Sequence, residues 1–178
     1  LKAQVALLID KHSEPQGITN HNNNTQNFDT QNNNIHIHIN AFGQENIDYI
    51  DNHMIAQCID RVYKSVPAII EKIHFDPAHP ENHNIKITNK KLPYASVMGN
   101  NSKWKTVDKK DAIETMVFNG YNFLEEKYPE AKGDLSDRKR EHFEGFQERF
   151  ESEEKDLRKQ LKTEVELMVL NGGNAINE

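Results

Sequence analysis

The sequence predicts an α+β fold that is mostly helical, with a small antiparallel sheet, an isolated N-terminal strand and a long C-terminal helix. Three observations predict this class. Apolar residues recur at steps of three and four over several long segments, which is the period of an α-helix. Short β-branched and aromatic segments between residues 85 and 107 are separated by turn-forming residues. Residues 35–40 alternate strictly between isoleucine and polar residues, as a half-buried strand does.

The sequence of the first 34 residues predicts two segments that precede the folded domain. Residues 1–12 have apolar side chains at helical spacing but no preceding N-cap, so they predict a helical stub that needs a partner, such as a coiled coil. Residues 13–34 contain two asparagine-rich tracts and one aromatic residue. Such a segment buries too little apolar surface to offset the loss of chain entropy. We therefore predict an Asn-rich linker over 13–34 and an α+β domain over 35–178.

The alternation at residues 35–40 predicts a strand with isoleucines on one face and His36, His38 and Asn40 on the other. A linker precedes this strand, and no other strand signal adjoins it. Its partner strand must therefore be distant in sequence or belong to another subunit. The segment predicts an isolated strand and favours pairing between subunits.

Residues 46–73 predict two helices. Asp51 is placed to cap the first helix, and Cys58 lies on its buried face as a small core residue. Ser65 is predicted to cap the second helix, because Pro67 then falls in the first turn, where its missing N–H costs least. The helical pair leads into a segment rich in proline and asparagine at 76–84.

Three strands are predicted next, at residues 85–88, 94–98 and 103–107. The turn Gly99-Asn100-Asn101-Ser102 suits a hairpin between the last two strands. Asn82, Asn84 and the other asparagines around these strands are predicted to form hydrogen bonds within turns. These segments together predict a small antiparallel sheet.

Two helices complete the predicted fold. Asp108 is placed to cap a helix over 109–127 that Pro129 ends, and Ser136 is placed to cap a second helix of about thirty residues that Gly172 and Gly173 stop. A helix of that length exceeds what a small domain covers, so part of it is predicted to contact another chain. Its apolar stripe comprises Phe143, Phe146, Phe150, Leu157, Leu161, Val165 and Met168.

Composition excludes two classes of protein. The chain has 22 basic and 28 acidic residues and a net charge of -6, which excludes a globally basic nucleic-acid protein. Only 35% of its residues are hydrophobic, and no apolar run approaches the roughly 18–20 residues of a membrane span. We therefore predict no membrane partner. The single cysteine, Cys58, cannot form an internal disulfide or a Cys-rich zinc site, which fits a reducing compartment.

Positive charge is concentrated at residues 86–110, which contain seven lysines and one aspartate, whereas the segments on both sides are acidic. Lysines interleaved with aromatic residues could bind phosphates and stack a base. Alternatively, these lysines neutralise the acidic helices and protect the edge of the sheet from aggregation. The sequence slightly favours the second interpretation. The candidate nucleic-acid-binding residues are Lys86, Lys90, Lys91, Lys103, Trp104 and Lys105.

A cluster of histidines and acids at 74–83 suggests an alternative enzymatic site. A metal-dependent nuclease of the His-Asn-His type would use His74, Asp76 and His83 as base and ligands of a divalent metal ion. Its catalytic unit has two strands before the cluster and a helix after it, whereas here a helix precedes and strands follow. We therefore favour a rigid turn in which Asn and Asp side chains bond the local backbone.

Three further histidines are alternative metal ligands. His36 and His38 lie two apart on the predicted strand, and His79 lies within the 74–83 cluster. A symmetric oligomer could bring such side chains together around a metal ion, and acidification would then weaken the assembly. We favour neutral surface histidines and predict no cofactor.

Four short motifs carry a resemblance to a known family: IHFDPAHPENHNI at 73–85, ITN at 87–89, KW at 103–104 and NAFG at 40–43. Together they resemble an uncharacterised protein family of nucleocytoplasmic large DNA viruses, including mimivirus-like and algal viruses, over roughly residues 35–125. In that family a similar region often follows a zinc finger of the two-Cys, two-His type and a helical spacer; the finger is absent from this sequence. The resemblance implies an intracellular viral protein, in host cytoplasm, viral factory or virion, with links to DNA and no catalytic residues to assign.

The sequence contains no phosphate-binding glycine loop, nucleophile elbow or paired catalytic carboxylate motif. The leading hypothesis is therefore a non-enzymatic oligomerisation and scaffold domain of a viral protein, a homo-oligomer that arrays DNA-binding modules attached upstream. Such an array would strengthen weak contacts through effective concentration. The alternatives are the metal-dependent nuclease and a nucleic-acid-binding module that uses the lysine-rich hairpin of residues 86–110.

Overall fold

A computed structural model describes residues 37–175 of the chain, except for the side chains of 173–175. The described residues belong to one unit. The predicted helical stub at 1–12 and the Asn-rich linker at 13–34 lie outside them.

Five α-helices and a three-stranded sheet make up the described part of the chain, which confirms the α+β class, the small antiparallel sheet and the long C-terminal helix. Single 3₁₀ turns occur at Val62–Lys64, Pro80–Asn82 and Lys132–Asp134. The elements in chain order are α1 Asn52–Ile59, α2 Ser65–His74, β1 Ile85–Lys86, β2 Tyr94–Met98, β3 Trp104–Asp108, α3 Lys109–Ala131, α4 Asp137–Glu151 and α5 Lys155–Ala175.

The sheet is antiparallel with strand order β1-β2-β3, so β2 is the central strand. The predicted hairpin turn joins β2 to β3: the Gly99 N–H donates to the Lys103 carbonyl at 2.9 Å, and Ser102 adopts a φ of 57°. One face of the sheet packs against α3 and α5. The buried residues of that face are Ile85, Ala95 and Val97, with Val107 half-buried beside them.

The core lies between the helices and this inner face of the sheet. Phe143, Phe146 and Phe150 of α4 are buried, and Tyr121 of α3 stacks on Phe150 with ring centroids 3.9 Å apart. The apolar stripe predicted for the C-terminal region is thus confirmed. Of its members on α5, Leu157, Leu161 and Val165 are buried, whereas Met168 is half-buried. The buried part of the stripe needs no second chain to cover it.

The C-terminal region contains two helices where the sequence predicted one. Ser136 caps α4 as predicted, because its side chain accepts a hydrogen bond from the Lys139 N–H. The chain then breaks after Glu151, where Glu153 adopts a left-handed φ of 59°. This break lets α5 pack against α2, α3 and β1. Phe150 and Leu157 keep the helical spacing of the apolar residues across the break, so the sequence pattern does not show that the helix ends there.

Two predicted helix ends are wrong. Pro129 lies inside α3, two residues before its last residue, so the missing N–H removes one bond without stopping the helix. Gly172 and Gly173 lie inside α5, which continues to Ala175. A Cβ atom on Gly172 would lie 2.5 Å from Phe75 Cδ1. This glycine therefore permits close packing of α5 against Phe75.

The predicted helix starts are partly confirmed. Asp51 accepts a hydrogen bond from the Met54 N–H at 2.8 Å, and Asp108 accepts one from the Asp111 N–H at 3.1 Å, as expected of N-caps. Ser65 is not an N-cap, because the helix begins at Ser65 itself and its hydroxyl is buried without a hydrogen-bond partner among the described residues.

The predicted strand at 35–40 is wrong over residues 37–40, where the backbone is irregular; positions 35 and 36 lie outside the described residues. The Asn40 N–H donates to the Glu81 carbonyl at 2.7 Å, so this backbone bonds to the turn before β1. Ile37 is 49% exposed, although the alternation placed it on a buried face.

Over residues 37–175, no helix has both the length and the apolar character needed to cross a bilayer.

Candidate functional site

One face of the sheet remains open to solvent. The alternation of side chains along the strands places Lys86, Tyr94, Ser96, Trp104 and Thr106 together on this face, which we call the open sheet face. Two further residues belong to the same face by register: Met98, which is buried, and Asp108, which caps α3. Tyr94 is 56% exposed and Trp104 is 40% exposed. Large aromatic side chains are rarely left in water without a role, so two on one flat surface indicate a binding surface.

Lys86 and Trp104 interact across the central strand. The Lys86 ammonium lies 4.1 Å from the centroid of the Trp104 ring, a cation–π contact. The contact covers one face of the indole with a positive charge and leaves the other face and the ring edge for a ligand. Register places Tyr94 and Trp104 at opposite ends of the hairpin, four residues apart along the strands. That spacing corresponds to about 13 Å.

Three of the four remaining candidate lysines lie in the loops at the two ends of the sheet. Lys90 and Lys91 are exposed in the β1–β2 loop, which also presents exposed Leu92. Lys103 is exposed at the hairpin turn, while Lys105 is paired with Val97 in register and points to the opposite face. Register thus places Lys86 and Trp104 on the open sheet face and Lys105 on the other face, while the three loop lysines lie at the ends of the sheet.

Asparagine side chains shape the two loops that carry these lysines. Asn89 Oδ1 accepts a hydrogen bond from the Lys91 N–H at 2.9 Å, and Asn101 Oδ1 accepts one from the Lys103 N–H at 3.2 Å. Both are local Asx turns, as the sequence predicted for asparagines around the sheet. The turns therefore position lysine side chains at both ends of the open sheet face.

These lysines are not neutralised by the acidic helices within the described residues. Of the seven lysines at 86–110, only Lys109 forms an ion pair there, with Glu166 at 2.7 Å. Its ammonium also donates to the Lys90 carbonyl at 2.9 Å, which anchors the β1–β2 loop. The other six lysines form no ion pair among the described residues, and four of them lie on the open sheet face or in the loops at its ends: Lys86, Lys90, Lys91 and Lys103.

The three residues of the alternative nuclease site have local partners. His74 is buried and bonds Asn84, Asp76 accepts a hydrogen bond from the Ala78 N–H at 2.9 Å, and His83 Nε2 donates to the Asp76 carbonyl at 2.9 Å. These contacts are those of the rigid turn that the sequence favoured. In the part of the chain that the structure describes, no group of three or more His, Cys, Asp or Glu residues could hold a metal ion.

Asn82 carries the contacts that fix this turn. Its side chain is fully buried, its Nδ2 donates to the Asn46 carbonyl at 2.6 Å, and its Oδ1 accepts from the Asn46 N–H at 2.9 Å. Oδ1 also accepts from Asn40 Nδ2 at 3.0 Å. The sequence could not reveal these contacts, because the partners are 36 and 42 residues away.

The structure describes two of the three alternative metal-binding histidines, His38 and His79. His36 lies outside the described residues, and His38 is exposed. The His79 ring stacks on Tyr49 with centroids 3.4 Å apart, and its Nδ1 lies 3.1 Å from Glu81 Oε1. The contacts of His79 therefore join the turn to the loop before α1.

Acidification is expected to lower the free energy of unfolding through His74. Burial holds the pKa of this imidazole below its ordinary value and nearby His83 adds to the effect, although Glu45 and the hydrogen bond to Asn84 oppose it. The unfolded chain therefore takes up a proton at a pH where the folded chain does not. The stabilisation is complete above about pH 6.5 and is lost as pH falls towards the folded pKa, with a slope approaching about 1.4 kcal/mol per pH unit.

Urea unfolding of the wild type and of His74→Gln across this pH range measures the effect. The variant should lose the His74 part of the slope, whereas His53→Gln, an exposed histidine on α1, should retain it. Equal slopes in all three proteins would show that His74 does not contribute.

Comparisons with protein families, curated proteins and solved structures found no match for this chain. The resemblance to a viral family, and the location that it implies, therefore stay predictions.

Proposed function

We propose that this chain is a non-enzymatic nucleic-acid-binding domain that holds single-stranded DNA or RNA on the open sheet face. The observation that carries the proposal is the pair of exposed rings, Tyr94 and Trp104, on a sheet surface bordered by lysines without ion pairs among the described residues. Aromatic side chains stack bases irrespective of sequence, and lysines bind the phosphates between them.

The geometry favours a single strand over a duplex. In a duplex the bases are already stacked on one another, so a flat surface with projecting rings can reach only their edges. An unpaired strand can place its bases on both rings. The separation of about 13 Å along the strands leaves room between the rings for additional nucleotides above Ser96 and Thr106.

Charge supports the same proposal. Residues 86–110 have a net charge of +6 within a chain of net charge -6. The acidic remainder repels nucleic acid, so binding is confined to one surface. The affinity should be modest and strongly dependent on salt, because each lysine–phosphate contact releases counterions.

The intrinsic fluorescence of the protein tests the proposal directly, because Trp104 is its single tryptophan. Titration with oligo(dT) and oligo(U) should quench this fluorescence saturably, and a blunt DNA duplex should quench it far less. The logarithm of the binding constant should fall with the logarithm of salt concentration with a slope of about -2 to -3, as expected for three to four phosphate contacts on a single strand.

Charge reversal provides the matched comparison. Lys90→Glu with Lys103→Glu should abolish the quenching, whereas Lys155→Glu with Lys159→Glu, two exposed lysines of α5, should weaken binding much less. Quenching that is absent, insensitive to salt or equally affected by both pairs would rule out the open sheet face as the binding surface.

A further inference from the structure

A cavity of about 190 Å³ lies between α2, α3 and the loop that precedes α1, and it shares no residue with the open sheet face. Gly120 lets α3 approach α2 closely at this point, because a Cβ atom there would lie 3.1 Å from Ile70 Cγ1. Exposed Ile47 and Asn119 also line the cavity, so it reaches solvent. Its apolar walls are formed by Phe42, Ile70, Ile73, Met116 and Phe123.

Three polar side chains line this mostly apolar cavity: exposed Asn119 at its opening, and His74 and Glu45. Asn84, which is fully buried, links the last two: its Nδ2 donates to Glu45 Oε1 at 2.7 Å, and its Oδ1 lies 2.9 Å from His74 Nδ1. The Gly43 N–H also donates to Glu45 Oε1, at 2.8 Å. The cavity therefore has an imidazole whose position is fixed by two further side chains.

The network determines which nitrogen of His74 carries the proton. A carboxylate only accepts hydrogen bonds, so the Asn84 atom next to Glu45 must be the amide nitrogen and the atom next to His74 must be the oxygen. His74 Nδ1 therefore donates, and in the neutral ring Nε2 is an acceptor. Among residues 37–175, no group donates a hydrogen bond to Nε2. His74 is 6% exposed as a whole residue, and its Nε2 is not among the side-chain atoms that are buried without a hydrogen-bond partner, so water reaches this acceptor.

We propose that the cavity binds a small molecule with an apolar body of about one aromatic ring and a single hydroxyl or N–H donor, which bonds to His74 Nε2. The size is suitable, because a cavity of about 150 Å³ holds benzene in another protein. A donor suits this ligand because Nε2 is an acceptor that no described residue bonds, and a hydrogen bond to it inside an apolar cavity adds to the affinity. Glu45 and Asn84 are positioning residues that keep the ring in the accepting tautomer.

Phenol and fluorobenzene are suitable probes, since both have one aromatic ring but only phenol has a donor. Met116 lines the cavity, whereas Met54, Met98 and Met168 do not. With ¹³C-methyl-labelled methionine, phenol should shift the Met116 resonance saturably at millimolar concentration, and fluorobenzene should bind at least about tenfold more weakly, as the loss of one buried hydrogen bond predicts. The ¹⁵N resonance of His74 Nε2 should move with phenol and not with fluorobenzene.

Variants test whether the preference for phenol depends on His74 or only on the apolar walls of the cavity. His74→Gln should remove the preference for phenol, whereas His53→Gln on the exposed side of α1 should retain it. Equal affinity for the two probes in the wild type would overturn the proposal, as would shifts of all four methionine methyls or no shift of Met116. These wild-type outcomes decide the question even if His74→Gln does not fold.

Discussion

Replacing Trp104 with alanine is expected to weaken the binding of a single-stranded oligonucleotide by about tenfold to a hundredfold. A base stacked on an aromatic ring contributes about 1–3 kcal/mol, and the alanine has no surface on which the base can rest. The substitution also frees Lys86, whose ammonium lies over this ring, so a positioned charge is lost with it. Because the indole lies on the solvent side of the sheet, the fold should be retained.

Fluorescence anisotropy of a labelled oligonucleotide measures this loss, since the variant has no tryptophan. Trp104→Phe should keep most of the affinity, because a phenyl ring still stacks. Tyr63→Ala is the matched control: Tyr63 is also an exposed aromatic residue, but it lies beside Arg149, away from the sheet. Equal affinities for wild type and Trp104→Ala would show that the nucleic acid does not contact the open sheet face. A similar loss in Tyr63→Ala would indicate a non-specific aromatic effect.

The position of Trp104 on this surface could be predicted from the sequence only in part. The lysine-rich composition of 86–110 and the hairpin turn predicted a basic β-ribbon with two aromatic residues, and the structure contains that ribbon. The register of the strands places Lys105 on the face opposite Trp104. The alternation of side chains in the sequence does not reveal which of the two faces a helix covers. The absence of ion pairs around the lysines among the described residues is likewise a property of the packed chain.

Local sequence patterns predicted where helices begin better than where they end. Asp51, Asp108 and Ser136 act within three residues of their partners, so their capping bonds were predictable from spacing. The end of α3 beyond Pro129 and the break at Glu153 depend on how the neighbouring helices pack. Local sequence patterns do not contain that information. The polar network around Asn82 and Asn84 joins segments about forty residues apart, and only folding brings them together.

The alternation at residues 35–40 misled for a related reason. Period-2 patterning predicts a strand where one face can be buried and a partner strand is available. Here the backbone of Asn40 instead bonds the turn at Glu81, and its side chain bonds Asn82. Pairing between subunits was inferred from that strand, so residues 37–40 no longer support it. Self-association through residues 1–12 stays a prediction, because they lie outside the described residues.

Phe146→Ala is expected to lower the free energy of unfolding by about 3–5 kcal/mol, which is a large part of the stability of a domain this size. Phe146 has no exposed surface, and its ring lies within 6.3 Å of the rings of Tyr63, Tyr121, Phe143 and Phe150. Since these rings belong to α3, α4 and the 3₁₀ turn after α1, the truncation leaves a cavity that no single element can close. Leu167→Ala, at an exposed position of α5, should cost less than about 1 kcal/mol.

Measuring the unfolding of the wild type and of Phe146→Ala at several protein concentrations tests whether a second chain covers part of the core. The sequence predicted that the long apolar stripe needs a second chain, whereas the break at Glu153 lets α5 pack on α2 and α3 of the same chain. The unfolding midpoint of the wild type and of Phe146→Ala should therefore be independent of protein concentration. A midpoint that rises with concentration would show that another copy stabilises the folded chain, either at this core or through residues 1–12, because association stabilises the folded state by mass action. In the first case the loss in Phe146→Ala would include contacts between subunits, and its cost would itself depend on concentration.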